Sequence, residues 1–160
     1  MGLRPMLYYY ASDGVTGCGG PDCLSAVMLV GTPALWWPAL LVLGFALWRT
    51  TTRSDWRYGA VLLAYTAGIA PWFANTSRQM YFFYMTPLAP FLVLATVLVM
   101  GEILGPAHAG PERRQTGLLT VGLWTGLVVA NFAWLWPVLM GIPITPGTWD
   151  AQLWLPSWRQ

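Results

Sequence analysis

Four long apolar runs, separated by short polar breaks, dominate the pattern of hydrophobic and polar positions. The runs cover residues 33–48, 58–73, 80–104 and 118–140. A bilayer hydrocarbon core is about 30 Å thick and is crossed by a helix of about 20 apolar residues. The pattern therefore predicts four transmembrane helices. The first begins at Thr32 and Pro33, a hydroxyl that can cap a helix followed by a proline suited to the first turn.

Prolines interrupt all four runs. They stand at Pro38, Pro71, Pro87, Pro90 and Pro137. A bilayer-embedded helix tolerates a proline when its neighbours satisfy the freed carbonyl groups. We therefore expect an all-α integral membrane fold with four proline-kinked spans.

Three regions follow from the same pattern. Residues 1–32 are expected to form an exported-side loop with an interfacial segment, in which residues 24–30 lie at the interface or extend the first span. Residues 33–140 are expected to form the four-helix transmembrane domain. Residues 141–160 form a tail rich in tryptophan and proline, placed on the exported side.

Composition excludes several classes of protein. Hydrophobic residues make up 56% of the chain and charged residues 9%, against about 25% charged in an average soluble domain. So few charges cannot cover a water-soluble globule. A net charge of +2 with dispersed arginines provides no basic stripe, so no nucleic-acid partner is expected. The expected surroundings are the lipid bilayer.

Arginine placement predicts the orientation. Five arginines fall in the loops after the first and third spans, namely Arg49, Arg53, Arg57, Arg113 and Arg114. Three fall on the other side, namely Arg4, Arg78 and Arg159. Cytoplasmic loops carry the excess of positive charge. We therefore expect a multi-pass plasma-membrane protein with both ends of this chain on the exported side.

The two cysteines stand close together in a loop expected to be exported. Cys18 and Cys23 lie in the stretch GCGGPDC. On the exported side such a pair can oxidise to a disulfide; free thiols are the alternative. Two cysteines without a nearby histidine are too few ligands for zinc. No metal and no cofactor is expected.

Several short motifs occur in a fixed order along the chain. They are RP at 4–5, YYY at 8–10, GTPALWW at 31–37, DWR at 55–57 and RQMYFFYMTP at 78–87. In this combination the chain resembles the C-terminal four-helix membrane region of the bacterial, actinobacterial-type protein O-mannosyltransferases. Thr32 stands where many members of that family carry asparagine, and both residues can cap a helix.

The resemblance implies a C-terminal part of a GT-C type glycosyltransferase. Such enzymes move mannose from polyprenyl- or dolichyl-phosphate-mannose to Ser or Thr of exported proteins. The family's catalytic Asp-Glu pair lies in its N-terminal half, and no Asp-Glu dipeptide occurs here. No catalytic residue is therefore assigned, and the chain alone is expected to be inactive without that N-terminal half as a partner.

One segment is a candidate for binding the donor phosphate. Ser77 can cap the outward-facing third span, where helix amides attract anions, and Arg78 adds a planar cationic fork. Asn75 and Gln79 add neutral hydrogen-bond donors. Tyr81 and Tyr84 follow and could contact sugar or lipid. The alternative is a capped helix whose arginine reaches the lipid headgroups.

Other polar or aromatic residues are expected to be structural. The tyrosines at 8–10 are expected to form an aromatic anchor at the membrane interface or a wall of the active-site cavity. Asp13 and Asp22 are expected to be turn residues or to contact the acceptor protein. His108 is expected to be exposed and Asn131 to hydrogen-bond between helices. For the whole chain the alternative function is a small non-catalytic four-span scaffold or lipid-binding protein.

Overall fold

The computed structural model describes residues 5–74, 80–155 and 158. Within these ranges, the strands β1 Met6–Ala11 and β2 Ser25–Leu29 precede the helices. The helices are α1 Pro33–Trp36, α2 Ala39–Arg53, α3 Trp56–Phe73, a 3-10 helix Phe82–Leu88, α4 Ala89–Leu104, α5 Pro111–Met140 and α6 Pro146–Gln152. The described residues group into two compact units.

The first, which we call the hairpin unit, comprises Met1–Thr32, Met80–Tyr84 and Ala130–Gln160. In it β1 and β2 pair antiparallel, with an irregularity between Leu7 and Tyr9. The all-α prediction is therefore wrong for this part of the chain. The expected interfacial segment 24–30 contains a strand, because Leu24, Ala26 and Met28 alternate as buried residues with a period of two.

The inward face of β2 packs on the end of α5 and on the tail. Met28 is buried with Leu135, Val138, Leu153 and Trp158. Leu24 exchanges two backbone hydrogen bonds with Ile144, of 2.9 and 2.8 Å. The expected tail therefore contributes a backbone partner and core side chains to this unit.

Two capping devices shape the tail. Gly141 ends α5 with φ +70°, and the amide of Ile142 donates to the Pro137 carbonyl at 3.0 Å, as in a Schellman cap. Thr145 then caps α6 by accepting a bond from the Thr148 amide at 3.3 Å. One helix thus ends and the next begins within five residues.

The second, which we call the helical unit, comprises Pro33–Gln79 and Met85–Val129. Here α2, α3 and α4 pack on one another. Leu92 and Ala95 on α4 and Ala46 on α2 are fully buried. Many other apolar side chains of this unit remain exposed, including Leu40 on α2, Leu63 on α3 and Leu123 on α5, each more than 70% exposed.

Helix positions follow the apolar runs, with three shifts in their ends. The first run breaks after Trp36, at Trp37 and Pro38, and α2 then continues to Arg53. The third changes from 3-10 to α conformation at Ala89, between two prolines. The fourth begins at Pro111 because a proline suits the first helical turn.

Among the described residues, two helical segments are long and apolar enough to cross a membrane. They are Phe82–Leu104 and Pro111–Met140. The prediction of a mostly helical, apolar chain is confirmed by these segments. The other two predicted spans correspond to α2, with 15 residues, and α3, with 18.

Candidate functional site

Only part of the predicted donor segment belongs to the described residues. Asn75, Ser77, Arg78 and Gln79 lie outside them. Tyr81 and Tyr84 lie at the start of the third apolar segment, next to and within the 3-10 helix. The amide of Tyr84 donates to the Tyr81 carbonyl at 3.2 Å, so one turn joins the two tyrosines.

The aromatic side chains of this turn form a cluster. The Tyr81 and Phe83 rings are nearly parallel, with centroids 5.9 Å apart and an interplanar angle of 12°. The Phe83 and Tyr84 rings lie 4.2 Å apart and tilted by 45°. The three side chains are half-buried. Such a surface combines apolar ring faces with hydroxyls, which suits a ligand that is part sugar and part lipid.

A glycine in the motif at 31–37 makes room for this turn. A Cβ on Gly31 would overlap the ring of Phe82. Two of the motifs that carry the family resemblance, GTPALWW and RQMYFFYMTP, are therefore in contact within the hairpin unit. Sequence reasoning missed this contact, although a glycine directly before a helix start is a signal of close approach.

The cysteines lie in the loop between β1 and β2. The structure joins Cys18 to Cys23, with their Cα atoms 5.7 Å apart. Gly17 and Gly19 adopt φ of +102° and +80°, which glycine allows without strain. Asp13 and Asp22 are exposed in the same loop. The oxidation state in the cell stays a prediction, which a thiol-blocking mass shift on non-reduced protein tests.

The tyrosines at 8–10 lie on β1 and are largely exposed. The Tyr10 ring lies 6.2 Å from that of Trp149 in α6. Asn131 is buried, and His108 is exposed. Gln152, which sequence reasoning passed over, is 2% exposed and donates from its amide to the Trp134 carbonyl at 2.6 Å.

A charged cluster occupies the helical unit. Arg49 on α2 forms an ion pair with Glu102 on α4. The guanidinium carbon of Arg49 also lies 5.9 Å from the centre of the Tyr58 ring, within cation–π range. Arg113 donates to the backbone carbonyl of Glu102 at 3.4 Å. Arg49, one of the arginines that predict the orientation, thus pairs with a carboxylate of the neighbouring helix.

A second ion pair begins α3. The Asp55 carboxylate accepts two bonds from the Arg57 guanidinium, of 3.0 and 2.8 Å, and one from the Arg57 amide at 3.2 Å. Hydrogen bonding from the Arg57 side chain lowers the pKa of Asp55 below its ordinary value. The DWR motif at 55–57 is thus a helix cap combined with an ion pair.

Several known proteins are similar to this chain over almost its whole length. The polyprenol-phosphate-mannose--protein mannosyltransferase of Mycolicibacterium smegmatis is 59% identical over 159 residues, which are 99% of this chain and 31% of that protein. The protein of the same name from Mycobacterium tuberculosis is 55% identical over 159 residues, 99% of this chain and 30% of that protein.

A more distant relative with the same name, from Corynebacterium glutamicum, is 37% identical over 156 residues, 98% of this chain and 30% of that protein. No family model and no solved structure matches the chain. The chain spans about 30% of the length of these curated relatives. Along nearly all its residues the chain is therefore homologous to a part of the polyprenol-phosphate-mannose--protein mannosyltransferases, which confirms the family that its motifs resemble.

Proposed function

We propose that this chain is the C-terminal membrane module of a glycosyltransferase. The enzyme would transfer mannose from polyprenyl-phosphate-mannose to Ser or Thr of exported proteins. The observation that carries the proposal is the 59% identity over 99% of the chain to a protein mannosyltransferase. The catalytic base would come from the other part of such an enzyme, in agreement with the absence of an Asp-Glu dipeptide from this sequence.

The membrane arrangement belongs to the proposal. The chain would cross the plasma membrane four times within residues 33–140, as part of a GT-C type fold, with residues 1–32 and 141–160 on the exported side. α2 and α3 each carry several exposed large apolar side chains, among them Leu40, Leu41 and Leu63, and such apolar surface supports lipid contact for the two shorter helices. The arginine distribution supports the orientation.

Residues 75–84 would bind the donor in this arrangement. The Arg78 guanidinium, with Ser77, Asn75 and Gln79, would hold the phosphate, since a planar cationic fork suits phosphate oxygens. The neighbouring Tyr81 and Tyr84 would contact mannose or the first isoprene units. Both rings are half-buried in one aromatic cluster, in which Tyr81 stacks on Phe83 and is tilted by 49° to Tyr84, and this cluster supports the role.

A chimera tests the function directly. The homologous 159-residue part of the Mycolicibacterium smegmatis enzyme is replaced by this chain, in cells lacking that enzyme. Membranes are assayed for transfer of mannose from polyprenyl-phosphate-mannose to a threonine-containing peptide. We expect transfer within an order of magnitude of the parent enzyme. A chimera present at parental level in membranes but without transfer would contradict the proposal.

The same chimera tests the donor segment. Arg78→Gln should reduce transfer on the order of 100-fold, which is the loss typical of removing one hydrogen-bond donor that stabilises the charge developing in the transition state. Arg53→Gln, which removes an exposed arginine at the end of α2, is the matched control and should leave transfer unchanged. Equal activity of both variants would dismiss Arg78 as a donor contact.

The alternative, a non-catalytic four-span scaffold or lipid-binding protein, is not favoured. All three relatives described above carry the name of a mannosyltransferase. An inactive but correctly inserted chimera would bring this alternative back.

A further inference from the structure

A cleft separates α4 from α5 in the helical unit. Its walls are Val99, Met100, Ile103, Thr120, Val121 and Trp124, and its volume is about 230 Å³. Pro38, Val42 and Thr96 also line it. The hydroxyls of Thr96 and Thr120 bind the carbonyls of Leu92 and Thr116 at 2.8 and 2.9 Å. The cleft therefore offers apolar surface to an occupant.

The cleft continues into a polar mouth. The mouth has a volume of about 510 Å³ and shares Ile103 and Thr120 with the cleft. Glu112 and Arg113 line it, at the first turn of α5. One carboxylate and one guanidinium thus stand at the entrance of an apolar slot.

Close approach of the two helices fixes this arrangement. A Cβ on Gly117 would lie 2.7 Å from the Ile103 carbonyl oxygen and 2.9 Å from the Leu104 Cα. The backbones of α4 and α5 therefore touch at Gly117, where only glycine fits. Arg113 is held near this point by its bond to the Glu102 carbonyl.

We propose that the α4–α5 cleft and its mouth bind one phosphatidylethanolamine molecule. An acyl chain would lie against Trp124 and Val121. The phosphate would bind Arg113 and the primary ammonium would bind Glu112, each by a charge-assisted hydrogen bond. The opposite charges of the mouth match this zwitterionic headgroup, whereas an anionic headgroup leaves Glu112 unpaired and a choline headgroup has no N–H to donate. The proposal does not depend on mannosyl transfer.

Native mass spectrometry of the full chain in detergent tests the site. The protein is mixed with 1-palmitoyl-2-oleoyl phosphatidylethanolamine, or with the phosphatidylcholine or phosphatidylglycerol of the same chains. We expect phosphatidylethanolamine to bind about tenfold more tightly than either, the factor that corresponds to 1.4 kcal/mol. Equal retention of all three lipids, or a lipid-free dimer as the main species, would overturn the proposal.

Charge variants assign the headgroup contacts. Glu112→Gln should bring phosphatidylethanolamine affinity down to that of phosphatidylcholine. Arg113→Gln should weaken binding of all three lipids about tenfold, a change in Kd that again corresponds to about 1.4 kcal/mol. Arg114→Gln is the matched control, since Arg114 is adjacent in sequence but does not line the mouth. An Arg114→Gln loss as large as that of Arg113→Gln would overturn the assignment.

A bulky substitution tests the acyl slot. Val121→Trp fills the cleft and should abolish retention of phosphatidylethanolamine. Leu119→Trp adds a similar side chain to an exposed position of the same helix, where Leu119 is 58% exposed, and should leave retention intact. Circular dichroism is used to check that both variants are folded. Undiminished binding to folded Val121→Trp would show that the lipid lies elsewhere and would overturn the proposal.

Discussion

Gly31 shows how one residue type is set by a partner 51 positions away in the sequence. The Phe82 ring occupies the space that a side chain at residue 31 would need. Because protein interiors are closely packed, an added methyl group displaces its neighbours at a cost in free energy. The glycine thus stabilises the contact between two motifs in the hairpin unit.

Gly31→Ala should lower the free energy of unfolding by about 1–3 kcal/mol, the usual cost of overpacking. Denaturant unfolding in detergent micelles, followed by tryptophan fluorescence, measures the change. Gly147→Ala in α6 is the matched control, because a Cβ there meets no atom within 4 Å. If Gly31→Ala were as stable as Gly147→Ala, the Phe82 contact would not be a packing constraint.

Asp55 is the residue at which pH should act on stability. Its folded pKa is lowered from 3.8 by the Arg57 side chain. The ion pair therefore contributes stability that is fully present above the unfolded pKa and is lost as pH falls through the lower folded pKa.

The stability difference between wild type and Asp55→Asn should be constant from pH 7 to about pH 5, where an ordinary aspartate stays ionised. It should vanish in stronger acid, when both chains lack the charge. Thermal unfolding of both variants in detergent, from pH 7 into this stronger acid, measures the stability difference. A difference that grew on acidification would have the opposite sign and would contradict the assignment.

At the scale of elements, the ion pair between Arg49 and Glu102 ties α2 to α4. The side chains are 19% and 37% exposed, so the pair is partly shielded from water. Shielding strengthens the attraction and also makes an unpaired charge costly. Removing one partner should therefore cost more than removing both.

A double-mutant cycle with Arg49→Gln, Glu102→Gln and the double variant measures this coupling. We expect an interaction free energy of about 0.5–3 kcal/mol, the range for residues in contact. The same cycle with Arg53 in place of Arg49 is the control and should show no coupling. Additive single losses in the first cycle would mean that the pair does not stabilise the helix junction.

At the scale of the whole molecule, the proposed donor site depends on the orientation of the chain in the membrane. Single cysteines can be introduced into a Cys18→Ser, Cys23→Ser background. Tyr9→Cys should react with a membrane-impermeant maleimide added to intact cells, because β1 would be exported. Arg114→Cys should react only after the cells are opened. The reverse labelling pattern would contradict the proposed topology and the exported position of Arg78.

The sequence by itself determined the apolar composition, most of the helices and the resemblance to the mannosyltransferases, which the known relatives confirm. These depend on composition, on run length and on motifs that are local in the chain. The described residues gave no test of Asn75, Ser77, Arg78 and Gln79, so their role stays a prediction.

Only the tertiary structure decided which distant residues meet. The β1–β2 hairpin escaped prediction because residues 24–30 are apolar on both faces except at Ser25, and the alternation of buried residues appears only once Ile144 and Leu135 cover one side. The pairing of Arg49 with Glu102, the overlap of Gly31 with Phe82 and the contact at Gly117 likewise have no local signature. Each depends on the packing of elements that are far apart in the chain, which no pattern along the sequence contains.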